Sequence, residues 1–328
     1  MSETKAVRDP SGRFQNPWPN AEPHGFKEFL RWRIDRRKNL IPDPPNGSLP
    51  TRAPEIVAPR APRGHRSVTW VGHSTLLIQA GDRNILTDPV WSTRASPIQF
   101  VGPRRLMPPG VEFDALPEID VVLLSHDHYD HLDRRTVRRL VRRFPNAAWF
   151  CPLGVGRRLA AFGVRSIVAR DWWESANVNG VRATATPARH FSGRTLRDRD
   201  STLWCGWTFE VDEFRMYFAG DSALHPAFGE IGQQLGPFDL IAMPIGAYDP
   251  RGFMRPVHMD PEEAVAACHA VMIGCAQFAR CVPIHWGTFR LTDEAFDEPP
   301  RRFADAWANA GLPKDANVTL AHGETLRL

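Results

Sequence analysis

One stretch constrains this chain more than any other: an apolar run, Ile119-Asp-Val-Val-Leu-Leu124, leads directly into Ser125-His-Asp-His-Tyr-Asp-His131. The run reads as a β-strand buried on both faces. Beyond it, three histidines and two aspartates fall in the six positions 126–131. Crowded imidazoles are costly to bury without partners and repel one another once charged. A metal ion holds them neutral and oriented. The cluster therefore predicts a metal centre at a strand end, where the sheet fixes the base of the loop and the loop reaches the ligand.

Within the cluster, His126 and His128 flank Asp127, so both imidazoles point the same way from an extended segment, while Asp130 and His131 come round after Tyr129. This predicts one ion on His126 and His128 and a second on Asp130 and His131. Further ligands are available as His190 in Pro187-Ala-Arg-His-Phe, Asp221 in Phe218-Ala-Gly-Asp-Ser and His285 in Pro283-Ile-His-Trp-Gly. Asp221 and His285 lie just past predicted strands, and Asp221 is the candidate bridge between two ions. Neutral nitrogen mixed with anionic oxygen suits zinc, and also iron or manganese. Taken singly, these three residues would read as core histidines or a turn aspartate; the case for them is their joint occurrence.

Strands are expected at Val68–Val71, Thr75–Gln79 and Asn84–Thr87, which form a meander, and at Trp149–Pro152, Thr208–Val211, Arg215–Ala219, Asp239–Met243 and Arg280–Ile284. Helices are expected over Arg134–Arg143 and over Pro261–Ile273, the latter capped by Asp260. The result is an α/β (α+β) chain of two sheets with helices on their outer faces and the ligand-bearing loops at one rim. Before residue 66, Pro42-Asp-Pro-Pro45 and Pro59-Arg-Ala-Pro62 mark a Pro-rich extension. Residues 1–65 are read as this extension and 66–328 as the domain that carries the ligand-bearing loops. Phe26–Lys38 reads as a short amphipathic helix that docks on the body, with an interfacial membrane helix as the alternative.

Hydrophobic residues at 42% and charged residues at 24% are ordinary for a soluble globular protein. The net charge of +4 is mild, and the arginines of 134–143 read as a solvated helix face or as an attraction for anionic lipid or phosphorylated substrate. Five cysteines without a CxxC pair suggest neither a disulfide framework nor a zinc ribbon. No apolar leader or long uncharged run is present, so a cytoplasmic, non-spanning chain is expected.

The ligand set, in order, resembles that of the metallo-β-lactamase fold superfamily. The resemblance narrows with Phe14-Gln-Asn-Pro-Trp-Pro19, Trp70-Val-Gly-His-Ser74, Leu86-Thr-Asp-Pro89, Ser92-Thr-Arg-Ala-Ser-Pro97, Pro244-Ile-Gly-Ala-Tyr248, His258-Met-Asp-Pro-Glu-Glu263 and Ile284-His-Trp-Gly-Thr288, which look like the N-acylphosphatidylethanolamine-hydrolysing phospholipase D branch. From about residue 13 to the C-terminus, it implies a four-layer αββα sandwich, two zinc ions, phosphodiester hydrolysis of N-acylated ethanolamine phospholipids and a homodimer. It also implies roles. Asp88 accepts a hydrogen bond from a ligand imidazole, His258 is the non-ligand histidine expected as general acid, Asp130 serves catalysis as well as the metal, and Tyr248 donates to a phosphoryl oxygen. Peripheral contact with a membrane is expected for a lipid substrate, and no nucleic-acid partner. The rival reading opens a lactone or another ester with the same parts; a redox or sensing iron site is less favoured, since no flavodoxin-like segment follows His285.

Overall fold

Alternation along the strands decides the architecture. The computed structural model describes residues 4–19, 25–38, 43–45, 47–195, 197–273 and 278–328; His24, Pro42 and Cys275, and the side chains of Phe26 and Phe29, lie outside this description. Val7–Arg8 (β1) and Phe14–Gln15 (β2) form a short hairpin, followed by helix Phe26–Lys38 (α1). Then come Arg66–Gly72 (β3), Thr75–Ala80 (β4), Arg83–Thr87 (β5), Val121–Leu123 (β6), helix Arg134–Arg143 (α2), Ala148–Pro152 (β7), helix Gly156–Phe162 (α3) and Ile167–Arg170 (β8). The second half runs Ser175–Val178 (β9), Val181–Thr186 (β10), Gly206–Val211 (β11), Phe214–Phe218 (β12), helix Ala227–Leu235 (α4), Leu240–Pro244 (β13), helices Arg251–Met254 (α5) and Pro261–Met272 (α6), Arg280–Ile284 (β14), helix Glu298–Asn309 (α7) and Thr325–Arg327 (β15).

Seven strands form one sheet in the order β15-β3-β4-β5-β6-β7-β8, and six form the other in the order β14-β13-β12-β11-β10-β9. In β4, Leu76 and Ile78 join a core shared with the second sheet, while Leu77 joins the core under α2 and α3 with Val137, Leu140 and Leu159. The same split places Val121 and Leu123 of β6 on the shared side and Val122 on the helix side, as a period of two requires. Helices α4, α6 and α7 cover the second sheet through Ile231, Val271 and Trp307. The layers are therefore helices, sheet, sheet, helices, the αββα sandwich expected.

Strands β5 to β8 run parallel, as do β12 to β14, so their C-terminal ends collect at one rim. Helix α2 is capped by Asp133, which accepts from the Arg135 amide at 3.1 Å, and α6 by Asp260, which accepts from the Glu263 amide at 2.8 Å. The expected strand from Ile119 starts later, at Val121, although the Asp120 amide still donates to the Asn84 carbonyl at 2.9 Å. Strands β8 to β10 and helices α3, α4 and α7 were not legible in advance; Val181-Arg-Ala-Thr-Ala-Thr186 has small residues where large ones would announce a strand.

The segment before β3 is stitched to the body. Phe14 donates its amide to the Asp200 carbonyl at 2.8 Å, and the Trp18 ring stacks on His225 at 4.4 Å. Helix α1 rests on the loop after β14: Trp32 Nε1 donates to Asp293 at 2.6 Å and Arg36 donates to the carbonyls of Leu291 and Thr292. This is the docked arrangement expected for that helix.

Candidate metal centre

Each ligand candidate hangs from a strand end at the common rim. His126, His128, Asp130 and His131 follow β6, His190 follows β10, Asp221 follows β12 and His285 follows β14. The Gly220 backbone, at φ +62°, approaches Ser125 so closely that a Cβ there would lie 2.6 Å from the Ser125 Cβ. Only glycine fits, and this close approach brings Asp221 against the histidine loop.

Two groups of ligand atoms result. In the first, His128 Nδ1 lies 2.8 Å from His126 Nε2 and 3.3 Å from His190 Nε2. In the second, Asp130 Oδ2 lies 3.0 Å from His73 Nε2, 3.4 Å from His131 Nε2 and 3.5 Å from His285 Nε2. Asp221 joins them: its Oδ2 stands 3.0 Å from Nε2 of both His131 and His285, 3.8 Å from His190 Nε2 and 3.9 Å from His126 Nε2. That is the position a bridging carboxylate needs.

Surrounding groups orient the imidazoles. Asp88 Oδ2 lies 2.6 Å from His131 Nδ1 and also accepts from the Ser125 hydroxyl at 2.5 Å. His190 Nδ1 donates to the Val257 carbonyl at 2.8 Å, leaving Nε2 turned to the site. Both contacts set which nitrogen is free to ligate. Asp127 takes no ligand position; Arg158 Nε lies 2.8 Å from its carboxylate and the Gly193 amide donates to it at 3.0 Å.

Burial, reinforced by neighbouring histidines, pushes His126 well below the ordinary histidine range, and burial pushes His128 down to about 4 and His73 and His190 down to about 3. These imidazoles are neutral and available as ligands. For His131 and His285 burial acts downward too, but Asp221 and Asp130 outweigh it, raising His131 well above that range and His285 to about 9. Positive charge is therefore demanded at this point. The Nε2 atoms of His131 and His285 and the Oδ1 of Asp221 are buried without a hydrogen-bond partner among the described residues, although such atoms are normally satisfied. Donors of this kind fit metal ions: one on His126, His128 and His190, another on Asp130, His131 and His285, with Asp221 facing both.

His258 and Tyr248, the other expected residues, divide. His258 is buried beside the site, grouped with His190 and Asp221, its ring 4.9 Å from that of His190 and its Nδ1 without a partner among the described residues. Tyr248 lies apart from these groups; its hydroxyl donates to Glu298 at 2.9 Å and the Arg302 guanidinium sits 4.8 Å from its ring. Trp286 stacks on Trp70 with centroids 5.1 Å apart. His73, which the sequence offers only as part of the Trp70-Val-Gly-His-Ser74 motif, joins the second group. Both His73 and His285 adopt left-handed backbone, at φ 54° and 63°, with rings 4.1 Å apart. Strain of this sort collects where function holds it, and a histidine inside a Gly-His-Ser turn was the available signal.

A family model described as the Beta-lactamase superfamily domain matches residues 83–286. An uncharacterized protein of Mycobacterium tuberculosis is 46% identical over 264 residues, spanning 80% of this chain and 69% of that protein. The N-acyl-phosphatidylethanolamine-hydrolyzing phospholipase D 1 of Caenorhabditis elegans is 38% identical over 268 residues, spanning 78% of this chain and 74% of the relative. Among solved structures, Igni18, a metallo hydrolase of the archaeon Ignicoccus hospitalis, superimposes with a TM-score of 0.60 at 22% identity, covering 80% of this chain and 98% of that one.

Proposed function

Since the chain belongs to the beta-lactamase superfamily, in the branch of the N-acyl-phosphatidylethanolamine-hydrolysing phospholipases D, we propose that this metal-dependent hydrolase cleaves the phosphodiester of N-acylated ethanolamine phospholipids. The observation that carries the reading is Asp221 standing between two ligand groups, because a pair of cations suits both the attacking and the leaving oxygen of an in-line displacement. The similarity to the nematode enzyme supports the substrate class. Bound at these residues, two zinc ions would supply Lewis acidity and lower the pKa of water toward neutrality.

The chain's own residues do the remaining work. Asp88 holds His131 by its Nδ1, and the Val257 carbonyl holds His190, so each presents Nε2 inward. Asp130 orients His73 and faces His131 and His285. His258, buried beside Asp221, is proposed as the proton donor to the leaving oxygen. Tyr248 enters this reading only by turning its hydroxyl away from Glu298 toward a phosphoryl oxygen. A cytoplasmic homodimer touching lipid peripherally completes it; no helix among the described residues is long and apolar enough to cross a membrane.

The deciding experiment presents N-acylphosphatidylethanolamine in mixed micelles, bis-p-nitrophenyl phosphate and a lactone to protein whose zinc content has been counted. Release of N-acylethanolamine, abolished by chelation and restored by zinc, is expected. Turnover of the lactone without either diester would overturn the phosphodiesterase reading and favour an ester-opening enzyme.

A further inference from the structure

The loop between β5 and β6 carries an apolar tip where a solvent-facing loop would ordinarily be polar. Ile98, Phe100 and Val101 are 44%, 78% and 55% exposed, the densest run of exposed large apolar residues among those described. The loop that presents them is built, not slack. Backbone bonds close its base, from the Ala95 amide to the Pro103 carbonyl at 3.0 Å and from the Arg105 amide to the Thr93 carbonyl at 2.8 Å. Inside it, the Gln99 amide group donates to the carbonyls of Arg94 and Ser96, both at 3.2 Å, and accepts from the Thr93 hydroxyl and the Arg94 amide, both at 3.1 Å. Hydrogen bonding this dense at Gln99 fixes Phe100 outward, away from any core.

Arginines flank the tip. A cavity of about 440 Å³ lies between the loop, at Ser96, Pro97 and Gln99, and helix α2, at Arg134, Arg135 and Arg138. Arg134, Arg135 and Arg138 are exposed, as is Arg104 in the loop itself, and none of the four has a carboxylate partner among the described residues. Tyr129 forms part of the same cavity, between the ligands His128 and Asp130. Apolar side chains able to enter an acyl boundary, ringed by unneutralised cations, match an anionic bilayer: one component buries apolar area, the other meets headgroup charge.

We propose that the loop around Phe100 and the arginine face of α2 together form a docking surface for an anionic lipid bilayer, which places the metal centre against the membrane. As the place where substrate is taken up, the surface rests on the phospholipid reading above; its binding test does not.

The test is flotation of zinc-loaded protein with vesicles of phosphatidylcholine alone or mixed with phosphatidylglycerol. Binding is expected to the mixed vesicles and to weaken in 0.5 M salt. Phe100→Ser with Val101→Ser, and separately Arg135→Glu with Arg138→Glu, should each reduce vesicle partition about tenfold or more while hydrolysis of soluble bis-p-nitrophenyl phosphate stays within about twofold. The exposed Phe278→Ser is the control and should bind as the parent does. Parent-level binding by both double variants overturns the surface, as does a Phe100/Val101 variant that loses self-association in place of vesicle binding, which would assign the tip to a second copy of the chain. Vesicle binding without hydrolysis of N-acylated phospholipid keeps the surface and removes the substrate reading; hydrolysis without vesicle binding does the reverse.

Discussion

Asp88 lies 2.6 Å from Nδ1 of His131, and on the ring's other side His131 Nε2 stands 3.0 Å from Asp221. One imidazole thus links a wholly buried carboxylate to the centre of the site. Asp88→Asn keeps the shape but withdraws the anionic acceptor. The expected result is a loss of metal affinity or activity of about 10–100-fold, measured by zinc competition with a chromophoric chelator. Unchanged affinity would mean that Asp88 is only a turn residue.

Asp221 faces both ligand groups, whereas His126 belongs to the first. Metal counting by plasma emission should therefore separate them. His126→Ala is expected to retain close to one zinc per chain, and Asp221→Ala to retain less than that, with Asp130→Asn losing both turnover and occupancy. Two full equivalents in Asp221→Ala would exclude its bridging role.

His258 is near the ligands without belonging to either three-residue set proposed to hold an ion. His258→Gln retains an N–H donor and cannot transfer a proton, while His258→Ala retains neither. A proton donor predicts that both variants lose activity alike, by about 10²–10⁴-fold, and that the alkaline limb of the kcat profile disappears. Recovery in the glutamine variant would leave hydrogen bonding as the whole contribution.

Acid sensitivity should come partly from a histidine outside the ligand sets. His225 is stacked between Trp18 and Phe228, at 4.4 and 4.1 Å, and burial with Arg189 nearby pushes it down to about 3. Unfolding returns it to about 6.5, so below that pH the unfolded chain binds a proton that the folded chain refuses. Its contribution is intact above about pH 6.5 and is lost progressively as pH falls toward 3, by at most about 1.4 kcal/mol per pH unit. Urea titrations from pH 7 to 5 should show a shallower loss in His225→Phe than in the parent.

Trp70 connects packing to the site: it is fully buried, stacks on Trp286 and donates Nε1–H to the His73 carbonyl at 2.9 Å. Trp70→Ala is expected to cost about 3–5 kcal/mol of stability, read from the urea midpoint. Trp70→Phe should cost less yet still disturb zinc binding, because the left-handed turn at His73 loses its anchor.

How much was legible follows physical range. The cluster at 126–131 is local, and its imidazoles have one economical use, so the residues alone announced a candidate metal site and its position after a buried strand. The β-rich run at Thr75–Gln79 and the Asp260 cap of α6 were local signals of the same kind. His73 and Asp130 are 57 residues apart in sequence and 3.0 Å apart in space, a contact that exists only once the β3–β4 turn and the loop after β6 share a rim. Tyr248 shows the converse, since its hydroxyl was expected to meet a phosphoryl oxygen and the packing of α7 supplied Glu298. Residue chemistry is written along the chain; which nitrogen meets which carboxylate depends on the twist and stacking of two sheets, and that was decided only by the tertiary structure.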